Sequence, residues 1–242
     1  MTPPAAVRPP LFGRRYNRRG QRVAGPPFHD PRTWKLLFSP AGLPGLALLI
    51  VFGLVLAVQT YVTGPEVWVL SGHALLAHGG WHAPVAHMFA HAGPVHLLLN
   101  ATALLPLTAL VMVRLGRGPD GWRRFALLYL GAGLAGAALF LAFNPTGPAL
   151  IGSSGAIFGL WGAVSRIRAD GGFAPLRSRQ VGDEVFYFAL LNALLYGIVF
   201  ALVRLGDAGV GGMAWEAHLG GFLFGLLAVP WLAPRTPPPA TV

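Results

Sequence analysis

The sequence has no cysteine. Disulfides, thiolate metal sites and a cysteine nucleophile are therefore excluded. Charge is scarce as well. Asp, Glu, Lys and Arg make up 11% of the 242 residues, where a soluble domain carries about a quarter. Only 8 residues are acidic, and the long apolar runs lack the carboxylates that a cation path through a membrane would use. The N-terminal region has no early apolar core, so it is not a secretory signal.

What is present is apolar. Hydrophobic residues make up 54% of the chain and glycine contributes 33 residues. Several apolar runs of about 20 residues predict an all-α polytopic membrane protein, and abundant glycine suits close helix packing in lipid. The net charge of +10 would suggest nucleic acid in a soluble protein. Here its placement matters more than its size, and no nucleic-acid partner is expected.

Residues 1–40 are rich in Pro, Arg and Gly, without apolar periodicity. They hold Arg8, Arg14, Arg15, Arg18, Arg19, Arg22, Arg32 and Lys35. This reads as a disordered basic tail, serving first as a topology signal and second as a contact for anionic headgroups. Being Arg-rich and acid-poor it also fits a transit peptide, but nothing in it is clearly amphipathic. The membrane domain is expected over 41–234, with a short Pro-rich tail at 235–242. Six spans are expected within it, near 43–62, 95–114, 125–143, 154–167, 185–205 and 215–232. A segment at 63–94 holds His73, His78, His82, His87 and His91 and no Lys or Arg. With both termini in the cytoplasm, 17 of the 18 basic residues fall on the cytoplasmic side, Arg204 alone lying outside. This satisfies the positive-inside rule.

Polar groups within the spans are costly in lipid and face the bundle interior. They are His96, Asn100, Ser154, Asn192 and His218. At the helical rise, Asn100 lies about 21 Å from Arg114, Ser154 about 21 Å from Arg168, and His218 about 25 Å from Arg235. Three residues from three spans thus share a depth, below the outer surface of a core about 30 Å thick. His96 lies one turn from Asn100 on the same face. The fourth span is too short to cross, so the preceding loop must dip inward, which is tolerated only against protein or a water-filled cavity.

That spacing suggests chemistry. A serine needs a base to become a nucleophile, and His218 is on a different helix from His96. Asn100, His96 and the Ser154 backbone N–H at a helix N-terminus could donate to an oxyanion. No carboxylate is placed to orient His218, because Glu216 points to another side of its helix. The expectation is a dyad, with Asn192 and Tyr196 as packing residues. Gly155 and Gly159 form Gly-x-x-x-Gly beside Ser154, and Gly221 and Gly225 form another after His218. Such faces let helices approach closely.

These residues fall in three blocks that resemble the rhomboid intramembrane serine proteases over roughly residues 43–232. His96 and Asn100 match the family's His-x-x-x-Asn, with His91 at its additional upstream histidine. Gly152-Ser153-Ser154-Gly155 matches Gly-x-Ser-Gly. Ala217-His218-Leu219-Gly220-Gly221, continuing to Gly225, matches the block around the base histidine. The resemblance implies a six-helix bundle in which Ser154 is the nucleophile, His218 the general base, and Asn100 and His96 oxyanion donors. It implies cleavage of transmembrane segments of other membrane proteins, with small residues at the cut and locally unstable helix, and no metal or cofactor. The expected location is a bacterial plasma membrane. Three positions depart from the family pattern. Phe158 replaces a common tyrosine beside the base, Trp81-His82 replaces Trp-Arg, and Met112 stands where a glutamate often precedes Arg114-Leu115-Gly116. Two rivals accompany this reading: an inactive relative that binds client membrane proteins, and a metal transporter using the His-rich segment.

Overall fold

The computed structural model describes residues 35–77, 79–168, 170–204 and 212–236. The basic tail up to residue 34, with its expected lipid contact, and His78 lie outside that set. The described helices are α1 (Leu43–Val58), α2 (Gly72–Ala77), α3 (Ala83–Ala86), α4 (Pro94–Leu115), α5 (Gly118–Phe143), α6 (Ser154–Arg166), α7 (Arg179–Arg204) and α8 (Trp215–Leu232). The final turns after α1, Gln59–Thr63, are π-helical. Among the described residues there are no strands, only isolated bridges at Leu70–Leu150 and Ile167–Phe173.

Among the described residues, four segments are long and apolar enough to cross a bilayer: Leu43–Thr63, Pro94–Leu115, Gly118–Phe143 and Arg179–Ala201. The protein is a polytopic helical membrane protein. Of the six expected spans, the fourth and sixth correspond to α6 and α8. The 13 residues of α6 reach about 20 Å, short of a bilayer core. The 18 residues of α8 open with Glu216 and His218, which lower its hydropathy. Two helices start earlier than apolar composition suggests. The first turns of α5 place Arg124 to donate from Nη1 to the Leu115 carbonyl at 3.0 Å. The first turn of α7 lets Gln180 donate from Nε2 to the carbonyls of Ser165 and Ile167, at 2.9 and 3.1 Å. Polar side chains thus extend both helices beyond their apolar stretches.

The short helices occupy the middle. Along α6, Gly155 to Leu160 are buried, as are Gly162 to Ser165. It packs chiefly on α8, α5 and α4. Glycine makes this possible. A Cβ on Gly221 would land on the Gly155 carbonyl oxygen, and one on Gly225 on the Gly159 carbonyl oxygen. Gly136 of α5 similarly faces the Ala217 carbonyl of α8. Backbone therefore meets backbone along the α6–α8 seam, and both expected small-residue faces lie on it.

The segment between α1 and α4 is tied to this centre. Leu70 and Leu150 exchange backbone hydrogen bonds of 2.9 and 2.7 Å. Gln59 clamps His91, accepting from its N–H at 3.1 Å and donating to its carbonyl at 3.3 Å. His82, standing in place of the family arginine, contacts the Val67 carbonyl through Nε2 at 2.8 Å. His87 Nδ1 lies 3.0 Å from the Ala83 carbonyl. Met112 is buried in the main hydrophobic cluster. Nearby, Arg114 donates from Nε to the Gly171 carbonyl at 2.6 Å and lies over the Phe173 ring.

Candidate active site

The loop before α6 sets the site. Gly152 has φ 121°, a conformation that favours glycine. A Cβ there would also press against the His96 ring. Its N–H donates to the His87 carbonyl at 2.9 Å. This turn sends the two adjacent serines to different partners. Ser153 is fully buried, with Oγ 3.1 Å from His91 Nε2. Ser154, the first residue of α6, places Oγ 2.9 Å from His218 Nε2.

His218 is buried on the first turn of α8. One face of its ring stacks on Phe158, with centroids 4.2 Å apart and planes at 29°. Its other nitrogen, Nδ1, lies 2.8 Å from Asn192 Oδ1 on α7. Asn192 is therefore not merely a packing residue, whereas Tyr196 is exposed and stacks on Phe200. The sequence pattern offers no carboxylate to orient His218, and the partner of its ring is an amide instead. The available signal was a polar residue in the middle of an apolar span. Glu216 does point elsewhere, accepting from Asn144 Nδ2 at 3.0 Å.

On α4, the His96 Nδ1 accepts from the Ala92 N–H at 3.3 Å. A backbone N–H can only donate, so the neutral ring carries its proton on Nε2. Asn100 is buried, and its Nδ2 has no hydrogen-bond partner. Both side chains thus keep a donor in reserve. Neither is bonded to Ser154 in this arrangement. His91, the additional upstream histidine, meets Ser153 rather than Ser154 and packs edge-on against His96. Burial pushes the His91 imidazole down to about 4, with His96 adding to the effect. Burial also pushes His87 to about 4. Both rings therefore serve as neutral structural groups at ordinary pH.

A hydroxyl at the head of a helix, an imidazole at hydrogen-bond distance, and two spare donors on α4 form a set suited to acyl transfer. Residues 78–235 match the family model described as the Rhomboid domain. The chain belongs to the rhomboid family. This rhomboid is 30% identical over 186 residues to the Rhomboid protease GluP of Bacillus subtilis, covering 76% of the chain and 33% of that protein. It is 32% identical over 140 residues to RHOMBOID-like protein 4 of Arabidopsis thaliana, covering 57% of the chain and 30% of that protein. It thus spans about a third of the length of these relatives.

Proposed function

We propose that this rhomboid is an intramembrane serine endopeptidase that cleaves transmembrane segments of other membrane proteins. The observation that carries the reading is the 2.9 Å approach of Ser154 Oγ to His218 Nε2 at the N-terminus of a buried short helix. In the proposed reaction, Ser154 Oγ attacks the scissile carbonyl as His218 Nε2 takes its proton. The tetrahedral oxyanion is met by the Ser154 N–H, the His96 Nε2–H and the Asn100 amide. His218 then returns the proton to the leaving amine, leaving an acyl ester on Ser154. Water, deprotonated by the same imidazole, releases the second product and restores the serine.

Counting α6 and α8 gives six spans, with both termini cytoplasmic and most basic residues on that side. The membrane domain then covers 41–234, flanked by a basic tail over 1–40 and a Pro-rich tail over 235–242. In this orientation the Ser154 end of α6 opens outward, where water can enter. A bacterial plasma membrane fits the Bacillus relative. An inactive client-binding relative would have no need of a serine and a histidine held at bonding distance. The metal-transporter reading is weakened because His82, His87 and His91 have protein partners.

The test is cleavage of a co-reconstituted single-span substrate in vesicles. Ser154→Ala and His218→Ala should each remove turnover while leaving the folded protein in the membrane. Persistent cleavage in Ser154→Ala vesicles would refute the assignment.

A further inference from the structure

We infer that Asn192 is the positioning residue for the base, a neutral third member that fixes the tautomer and the ring plane of His218. The inference rests on the serine-protease reading above and adds to it.

The orientation of the Asn192 amide is fixed by the chemistry of its two partners. Asn192 Nδ2 donates to the Phe188 carbonyl, one turn back on α7, at 2.9 Å. A carbonyl oxygen only accepts, so the amide nitrogen must face it. The amide oxygen must then face the other way, and it lies 2.8 Å from His218 Nδ1. Oδ1 only accepts, so His218 carries its proton on Nδ1. In the neutral ring, Nε2 is left with a free lone pair, and this nitrogen lies 2.9 Å from Ser154 Oγ. The hydroxyl therefore donates to Nε2, the polarity that proton abstraction from a nucleophile requires. The opposite tautomer would present Nε2–H to the serine and could not act as base. Phe158 restricts the same ring from one face, leaving Asn192 to select which nitrogen faces the serine.

An amide suits this position better than a carboxylate. Asn192 and His218 are both buried, and an ionised Asp there would be a desolvated charge within a lipid-facing bundle. The amide offers the same acceptor without that penalty. It comes from α7, the least buried of the four long spans, with 11% of its apolar window covered. Trp161 holds the start of that helix by donating from Nε1 to Glu184 at 2.8 Å. Beyond Asn192 the helix turns Leu194, Ile198 and Phe200 outward. A polar residue whose oxygen faces inward at mid-helix is then better explained by the imidazole it meets than by helix adhesion alone, since such bonds contribute little to membrane-helix packing on average.

Two measurements test the role. The first uses the unaltered protein with 15N-labelled histidine, reconstituted in lipid at neutral pH, the His218 signals being assigned by their loss in His218→Gln. A pyrrole-type shift at Nδ1 and a pyridine-type shift at Nε2 are expected, and the reverse pattern would overturn the inference. The second compares Asn192→Leu with the parent on a co-reconstituted single-span substrate. A fall in kcat on the order of 10²-fold is expected, with KM little changed, and Asn192→Asp should recover part of the loss by restoring an acceptor. Parent-like kcat in Asn192→Leu would overturn the role. The Ser154→Ala control separates the two levels of the argument. If that control still cleaves, the protease reading fails. If it is dead while Asn192→Leu runs at the parent rate, only the positioning role fails.

Discussion

Gly221→Ala is a small change with a large expected effect. Gly221 faces the Gly155 carbonyl oxygen across the α6–α8 seam. The obstacle to a new methyl group is backbone, so no rotamer change relieves the overlap. Restoring van der Waals separation requires the helices to part by about 1 Å. Ser154 is next to Gly155, and His218 lies one turn before Gly221. The same displacement would stretch the 2.9 Å Ser154–His218 contact to about 4 Å, beyond hydrogen-bond range. Overpacking of this kind costs about 1–3 kcal/mol, and an ångström of misplacement between reacting groups costs about 10² in rate. Gly197→Ala on α7 is the matched control, because its Cβ would meet nothing within 4 Å. Relief of glycine's helix penalty should make that variant neutral, or more stable by about 0.5–1 kcal/mol. Thermal unfolding in lipid and kcat on a reconstituted substrate measure both effects. If Gly221→Ala melts and cleaves like Gly197→Ala, the close seam is not what brings the base to the serine.

Other predictions concern the surroundings of the site. His87 and His91 have folded pKa values of about 4, below the unfolded value of about 6.5. Between those limits the unfolded chain binds more protons, so stability is full above about pH 6.5 and falls as pH drops towards 4, by on the order of 3 kcal/mol per ring. Unfolding midpoints at pH 7.5 and 5 should show that fall, and the double variant His87→Gln/His91→Gln should flatten it; equal slopes would contradict the cause. Gln59→Ala strips both side-chain bonds from the buried His91 backbone and should destabilise by about 2–3 kcal/mol, an expectation that an unchanged midpoint would contradict. Phe158→Ala removes the ring stacked on His218 and should lower kcat about tenfold. Phe158→Tyr should retain activity, and equal rates for the two variants would remove the stacking role.

Much of this molecule was legible in its sequence because lipid imposes simple rules. Apolar runs gave the long helices to within a few residues at most ends, since backbone groups in hydrocarbon must pair within a helix. Counting residues from basic anchors placed Ser154 and His218 at one depth, and the structure has them in contact. The glycine pairs likewise predicted a close seam. Other features depend on partners that spacing cannot supply. The early starts of α5 and α7 come from Arg124 and Gln180 reaching distant carbonyls. The separate fates of Ser153 and Ser154 depend on the turn at Gly152 and on His91, 62 positions before Ser153. Asn192 was visible only as a polar residue in an apolar span. Its meaning depends on the rotation of α7, which brings it to an imidazole 26 positions away.

The central claim is that Ser154, activated by His218, is the nucleophile. The most direct measurement is to treat the reconstituted protein with a fluorophosphonate probe and locate the adduct by peptide mass spectrometry. A single adduct on Ser154 is expected, absent in His218→Ala protein that remains folded. An adduct on Ser153, or labelling of Ser154 at an undiminished rate without His218, would contradict it.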